Sequence, residues 1–569
     1  MQETVTTDVL RAVNPLRLAG PVFDKELRVA SRRRRTYLLR FLYIGALTWF
    51  VVMVLDVSVS GSNGGSAVVQ AAQMGQLASR AVATIVWFEF LLAQLLAIVL
   101  LSGSIGNEIR QRSLDVLLTT PITSLQIVLG KFAGALLQLL LLLAVSLPLL
   151  AVVRVYGGVP WNYVIVSLCI ILATALFTGA LSLLVSVTDR HAYHVMSTVA
   201  GFCVLLWAGG AAAIGLLGLI DGFSRTTGQM LLYLTNPFCS LGVETATMAT
   251  AVSSRWTAGL WPIHCAILLA AAALLLLLAA RRVRRVALAS GASAKGAVSD
   301  TKSTSSSVPA KPSPWRWRSS AVRRVQGSPI VWKERRRPLY RRRRGVLGIL
   351  STILVVLLMA SLVVFFFVAA PTSLGRFCLA VAGLLQFLFV VSVAVSAASA
   401  ITREKEGRTL TSLLVTPLES GWIIKDKAVG LLLRSLLILI PVPILGVVGA
   451  AFPPGFATGL PSLLFGLLTV ILGETVFFLG LGLCMSVHLK TGVSAVVATF
   501  AGYLVVRILV DGFLGQAFRM LVQTGVLDPG QFWSRHGVAV IHVVVLGGVG
   551  LLLMWGAAKG LRRRCLAQL

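Results

Sequence analysis

The sequence is poor in charged residues, and in acidic residues above all. Only 12% of its 569 residues are charged, with 20 Asp and Glu against 51 Lys and Arg, whereas 57% are hydrophobic. The mean hydropathy is +0.88. Such a chain carries far more apolar side chains than one soluble core can bury. The composition therefore excludes a soluble globular protein and predicts an all-α, polytopic membrane protein.

Cysteine and histidine are also scarce, and neither forms the pattern of a site. The seven cysteines are scattered, with no C-x-x-C pair and no Cys/His cluster. We therefore predict neither a disulfide framework nor a metal site. His191 and His194 lie with Asp189 in a short polar turn, but a metal site needs more ligands. We interpret these three residues as part of a surface turn.

The sequence lacks a phosphate-binding loop of the form G-x-x-x-x-G-K-[ST]. Gly291 and Gly296 have the glycine spacing, but Ala297 stands where the lysine is needed. Without that lysine and its loop the chain is not expected to hydrolyse ATP. No nucleophile lies at a recognisable spacing from a base and an orienting acid. We predict no enzymatic activity and no cofactor in this chain.

What the sequence does contain is a series of apolar runs long enough to cross a bilayer, which takes about 20 residues. We predict twelve spans, at about residues 38–58, 82–104, 127–153, 161–188, 195–220, 259–280, 346–370, 375–401, 424–451, 461–488, 492–515 and 537–558. The bilayer is therefore the first expected partner.

One hydrophilic segment divides these runs into two groups of six. It is rich in Ser, Ala, Lys, Gly and Pro, a composition typical of a disordered linker. We place the linker at 286–327, between a first unit at 1–285 and a second unit at 328–569.

Each unit begins with a similar basic and amphipathic segment. Pro21, Lys25 and Glu26 of the first unit recur as Pro329, Lys333 and Glu334 of the second, and a run of arginines follows in both. Such a segment is typical of a helix that lies at the membrane surface. We predict an interfacial connecting helix before the first span of each unit.

A polar stretch after the second span occurs twice. Ile105–Lys131 aligns without a gap with Ile401–Lys427, at an offset of 296 residues, and eleven of the 27 paired positions are identical. This is an internal repeat of a polar element, because shared hydrophobicity cannot explain the polar matches. Those matches are Glu108 and Glu404, Arg112 and Arg408, Thr120 and Thr416, Pro121 and Pro417, and Lys131 and Lys427.

Each copy of the repeated stretch contains a short amphipathic helix. Its apolar face is formed by Leu114, Leu117 and Leu118 in the first copy and by Leu410, Leu413 and Leu414 in the second, the i, i+3, i+4 spacing of one helical face. The Thr-Pro pair that follows is expected to stop the helix. The leucine face could lie on the bilayer surface or in a groove of a partner protein.

Lysine and arginine define the orientation of the spans. They concentrate on the side that carries both termini and both repeated stretches, which by the positive-inside rule is the cytoplasm. Six spans per unit give both units the same orientation, so we predict parallel repeats. This distribution accounts for the net charge of +31 without nucleic acid as a partner.

A few ionisable residues fall inside predicted spans. They are Glu89, Arg434, Glu474 and Arg507. Because a charge at the membrane centre costs roughly 2.5–3.5 kcal/mol on insertion scales, such residues usually face a bundle interior or a cavity. Glu474 could pair with Arg434 or Arg507 as a structural ion pair, or these residues could line a substrate path.

The pattern E-x-x-x-R-x-L-x-x-L-L-x-T-P, followed by Lys, resembles the cytoplasmic loop of the type-two ABC transporter permeases, the transmembrane subunits of a class of ABC exporters. In that family the loop is a coupling helix that docks on a separate ATPase, and each six-span unit begins with a connecting helix. The resemblance implies an exporter permease in the plasma (inner) membrane. It also implies ATPase subunits as partners, with ATP and Mg bound there. Many family members are single six-span units that dimerise, whereas this chain resembles a fused pair.

Two other interpretations remain open. An ion-driven secondary transporter would use Glu89 and Glu474 as proton or ion sites and would need no ATPase. Against it, the two carboxylates are not equivalent in the repeat. A non-transporting membrane anchor for an ATPase would keep the docking helices without a substrate path.

Overall fold

The structure is a computed structural model in which every described element is a helix. The described residues are 21–26, 28, 37, 40, 41, 43–45, 47, 48, 67–110, 122–154, 159–189, 192–217, 224–250, 259–299, 327–336, 371–451, 460–510, 521 and 532–566.

The first half contains a helical segment at residues 21–26 and eight labelled helices. These are α1 (Ala67–Ser102), α2 (Gly106–Arg110), α3 (Ser124–Arg154), α4 (Trp161–Thr188), α5 (Ala192–Leu217), α6 (Arg225–Thr235), α7 (Pro237–Thr250) and α8 (Trp261–Ser299). The described positions between 37 and 48 are also helical, within the first predicted span.

The described part of the second half contains nine labelled helices. Its helices are α9 (Pro329–Arg335), α10 (Pro371–Ser399), α11 (Thr402–Glu406), α12 (Leu410–Leu414), α13 (Ser420–Leu439), α14 (Pro441–Ala451), α15 (Leu460–His488), α16 (Gly492–Leu509) and α17 (Phe532–Leu566). The predicted span at 346–370 lies outside the described residues.

Helix boundaries recur between the halves. The short helices α2 and α11 begin and end at an offset of 296 residues, and α3 and α13 begin at the same offset. Further along, α4 and α15 end at an offset of 300, and α5 and α16 begin there. The sequence repeat thus corresponds to a repeat in the positions of the described helices.

Seven of the described helices are long and apolar enough to cross a membrane, judged by length and composition. The count is eight if α13 and α14, which meet at a bend of 49°, form one span. Parts of α15 and α16 make shorter apolar helices. The chain is therefore a multi-pass membrane protein, and the arrangement of twelve spans stays a prediction.

The helix α4 lies at the centre of the first half and packs in one cluster with α1 and α8. Its hydroxyl groups are buried but satisfied; Thr174 and Thr178 donate to carbonyls three or four residues earlier, and Thr178 also donates to Gln94 Oε1 at 2.8 Å. In the second half α15 and α17 touch through glycine. A Cβ atom on Gly480 would lie 2.0 Å from the Gly550 carbonyl oxygen. Only glycine allows the two backbones to come this close.

The two halves meet through small and apolar side chains. Val99, Ala192 and Met196 of the first half form one buried cluster with residues of α10 and α16, among them Ala398 and Val496. The described part of this contact is apolar at its centre.

The end of α8 differs from the prediction. We expected the linker to begin at residue 286, but α8 continues to Ser299. The physical reason is the alanine content of this stretch, since alanine is the best helix former. Residues 300–326 lie outside the described residues, so the disorder of the linker stays a prediction.

Candidate functional site

The repeated loop of the second half folds as two short helices and not as one. The helix α11 ends at Glu406, and α12 begins at Leu410. Between them Arg408 has a φ of 53°, a conformation that non-glycine residues rarely adopt. The amide of Thr409 donates to the Glu404 carbonyl at 3.0 Å and closes the turn.

The Thr-Pro stop is confirmed in this copy, because α12 ends at Leu414 and Pro417 lies beyond it in an exposed segment. The Thr416 hydroxyl donates to the Leu413 carbonyl at 2.6 Å. The hydroxyl thereby supplies a hydrogen bond to one of the last carbonyl groups of the helix, which have no intrahelical partner.

The leucine face of α12 points into the chain itself. Leu410 is 1% exposed and belongs to the apolar core of the second half, against which Leu413 and Leu414 also pack. Val415, by contrast, is 85% exposed. Leu410 therefore belongs to the chain's own core in this structure, and docking of the leucine face on a partner stays a prediction. The i, i+3, i+4 spacing identifies a buried face but not what covers it.

The equivalent residues of the first copy are not described. Arg112, Leu114, Leu117, Leu118, Thr120 and Pro121 all lie outside the described residues. Their role stays a prediction.

A buried ion cluster lies beneath the loop of the second half. The Lys427 ammonium, 2% exposed, lies 3.3 Å from Glu334 Oε1 and 3.5 Å from Glu404 Oε1. The Arg403 guanidinium lies 3.1 Å from the second oxygen of Glu334, and the Lys333 ammonium lies 3.1 Å from Glu404. The cluster ties α9, α11 and α13 to one another. The charges are paired, as buried charges must be.

Glu404 remains ionised in this setting. Burial alone would raise the pKa of its carboxyl, but the Lys427 charge, the Thr409 hydroxyl and the Lys333 ammonium outweigh burial. Together they lower the pKa from 4.5 to about 2. The negative charge of Glu404 is thus balanced by the lysines of the chain itself.

The first half contains the same cluster in a smaller form. The Lys131 ammonium lies 3.0 Å from Glu108 Oε1 and 3.3 Å from Glu26 Oε1. Glu108 and Lys131 are the repeat equivalents of Glu404 and Lys427, and Glu26 corresponds to Glu334. The position of Arg403 is occupied by Asn107 in the first half. The repeated glutamate and lysine are therefore paired with each other in both halves, whereas Arg408 is exposed and Arg112 lies outside the described residues.

Two further pairs of repeated residues complete this arrangement, and sequence reasoning missed both. A Cβ atom on Gly134 would lie 2.9 Å from the Glu26 Cβ, and one on Gly430 would lie 2.8 Å from the Glu334 Cβ. These glycines let each connecting helix approach the third span of its own unit, which is α3 in the first half and α13 in the second. The sequence did contain a signal for these glycines. The pattern K-x-x-G occurs in both copies of the repeat, and Gly134 and Gly430 are also 296 residues apart.

The second missed pair is serine. The hydroxyl of Ser186 accepts from the amide of Gly106 at 3.1 Å, and that of Ser486 accepts from Ile401 and Thr402 at 2.8 and 2.9 Å. Each serine satisfies backbone amides at the start of a short helix, where no intrahelical partner exists.

The ionisable residues of the spans have different surroundings. Glu474 Oε1 accepts from the Tyr503 hydroxyl at 3.1 Å and lies 3.7 Å from the Arg507 guanidinium, whereas the Arg434 guanidinium donates to Ser396 at 2.8 Å. Of the two expected partners of Glu474, the structure brings Arg507 to it.

Glu89 is 1% exposed, and within the described part of the chain neither of its carboxyl oxygens has a hydrogen-bond partner. The same part of the chain holds no group of three metal-ligating side chains. His191 lies outside it.

Long apolar helices joined by polar loops define a multi-pass membrane protein. Residues 21–288 match the family model described as ABC-2 family transporter protein, and Glu26, Glu108 and Lys131 all lie within the match. No curated protein matches the sequence. The first half is thus similar to the ABC-2 transporters. This similarity supports the interpretation of the chain as a membrane permease of an ABC transporter.

Proposed function

We propose that this chain is the membrane subunit of an ABC exporter, driven by separate ATPase subunits that dock on the two repeated loops from the cytoplasm. The observation that carries the proposal is the paired ion cluster, present in both halves, which joins each loop to the helix before the first span and to the third span. The family match of residues 21–288 supports an ABC transporter permease as the class of protein.

The second loop has the features that docking requires. Its tip is exposed at Thr411, Ser412 and Val415, so a partner can reach it. Below the tip, Leu410 is anchored in the core. A force applied to the tip therefore acts on the packed helices and not on a free loop.

The ion cluster provides the path for that force. Glu404, at the beginning of the loop, is paired with Lys427 on α13 and with Lys333 on α9. Removing one partner from a buried pair typically costs about 3–5 kcal/mol, so α9, α11 and α13 are expected to move together. Closure of the partner ATPases on ATP and Mg would then tilt each half as a body and change the contact between the halves.

The test is co-purification of a phosphate-loop ATPase with the tagged chain from its native membrane. Val415→Asp places a charge at the exposed tip, and recovery of the ATPase should fall to about half or less, because the first loop still docks its own subunit. Lys490→Asp is the control, since Lys490 is exposed on a different loop of the same predicted side. Leu413→Asp is a poorer probe, because Leu413 packs against the chain's own core.

Equal ATPase recovery with Val415→Asp and Lys490→Asp would contradict docking at this loop. Absence of any ATPase under several mild detergents would favour the ion-driven alternative. The observation that keeps that alternative open is Glu89, buried with no hydrogen-bond partner for its carboxyl oxygens among the described residues.

A further inference from the structure

The helices α13 and α17 lie side by side at the surface of the second half. The Arg562 guanidinium, near the end of α17, donates to the carbonyl of Leu418 at 3.0 Å, just before α13 begins. Ile424 and Leu431 of α13 share one apolar core with Ala557 of α17. The end of α17 therefore lies beside the beginning of α13.

The outward faces of both helices carry long apolar stripes. On α13 the exposed stripe contains Val429 and Leu433, and on α17 it contains Val544, Leu551 and Leu552. In a span, such a face is covered by lipid chains. The two helices are adjacent, and each carries its stripe on a face that the rest of the chain leaves exposed.

Near the ends that Arg562 joins, each helix carries an exposed tryptophan with a lysine over its ring. The Lys425 ammonium lies 4.9 Å from the centroid of the Trp422 ring, and the Lys559 ammonium lies 3.6 Å from that of Trp555. Indole rings settle at the level of lipid headgroups, and lysines there extend toward them. The pairs lie at the two helix ends that Arg562 joins.

The charge at this place is strongly positive. Among the described residues, Lys425, Lys559, Arg562 and Arg563 are all exposed there, against the exposed carboxylate of Glu419 and the half-buried carboxylate of Asp426. Clustered cations next to a span attract anionic lipids. A solvent-exposed basic surface alone would not need the two tryptophans or the apolar stripes below them.

We propose that this surface binds an anionic phospholipid, with its acyl chains along the stripes of α13 and α17 and its phosphate between Lys425, Lys559 and Arg562. The proposal rests on the membrane location of the chain and is independent of the ATPase.

The first half does not repeat this chemistry. Where the second half has Trp422, Lys425 and Trp555, the equivalent positions hold Gln126, Leu129 and Leu277. The Gln126 side chain is instead engaged at the start of its own helix, where it accepts from the Thr123 amide at 3.0 Å. The repeat thus provides one such site per chain and a matched control.

The test uses the purified full chain in detergent, without ATPase. Its melting temperature is measured with phosphatidylglycerol, with phosphatidylcholine of the same acyl chains, and with glycerol phosphate. The site variant is Lys425→Gln/Lys559→Gln. The control is Arg281→Gln/Arg284→Gln, which removes two exposed cations from the equivalent end of α8.

We expect phosphatidylglycerol to raise the melting temperature more than phosphatidylcholine does. The site variant should lose at least half of this difference, and the control variant should keep it. An equal loss in both variants, or none in the site variant, would overturn the proposal.

Stabilisation by glycerol phosphate equal to that by phosphatidylglycerol would show an anion site in place of a lipid site, and would overturn the proposal as well.

Discussion

At the scale of single residues, the main finding is that the repeated glutamate and lysine of each half are paired within the chain. Glu404 and Lys427 share a buried cluster with Glu334, and Glu108 and Lys131 share one with Glu26. Sequence spacing placed these charges in the loop, but it could not place Glu334, 93 residues before Lys427, beside them. That pairing arises from tertiary packing and not from a helical period.

The lowered pKa of Glu404 predicts a pH-dependent stability. A carboxyl whose pKa falls from 4.5 to about 2 on folding stabilises the protein above pH 4.5, and this contribution is lost as the pH falls toward 2. Glu404→Gln should therefore lower the free energy of unfolding by about 1–3 kcal/mol at pH 7. The melting-temperature gap between the wild type and the variant should narrow from pH 7 to pH 3. Glu419→Gln, at an exposed position, is the control, and a gap that is independent of pH would contradict the assignment.

At the scale of elements, the connecting helix α9 and the third span of the second unit, α13, are in unusually close contact. A Cβ atom on Gly430 would meet the Glu334 Cβ at 2.8 Å and the backbone of Val331 at 3.4 Å. The glycine and the ion cluster are therefore parts of one contact, since the backbones must approach for Glu334 to reach Lys427.

This contact predicts that adding one methyl group at position 430 lowers the stability of the protein. Gly430→Ala should force α9 away from α13 and lower the free energy of unfolding by about 1–3 kcal/mol. Gly421→Ala is the matched control, because Gly421 lies in the same helix with nothing within 4 Å of its Cβ position, and alanine there should stabilise the helix slightly. Thermal unfolding in detergent compares the two. Equal effects of the two variants would show that the close approach is not required.

The elements themselves could be predicted well where hydropathy and stop signals coincide. The ends of α4 and α15 and the Thr-Pro stop after α12 agree with the prediction. The end of α8 does not, because alanine and serine are common to linkers and helices. What the leucine face of α12 packs against could not be predicted from the sequence either, since an amphipathic pattern is the same whether the chain or a partner covers that face.

At the scale of the whole molecule, both halves with their loops belong to one chain and meet through a buried apolar cluster that contains Val99 and Ala398. Under the proposed function, one chain then supplies both docking loops. We expect the mass of the complex extracted in mild detergent to equal one chain with two ATPase subunits. A mass that requires two chains would show that the fused halves still pair with a second copy.

The close contact at Gly134 and Gly430 also limits how either half can change by mutation. In each half a buried lysine, two glutamates and a glycine from three separate segments lie in contact. Replacing the lysine alone would leave buried carboxylates without their cation, and enlarging the glycine alone would separate the partners. No member can therefore drift freely while the others remain. We therefore expect a substitution at one of the four positions to be tolerated only together with a compensating change at another.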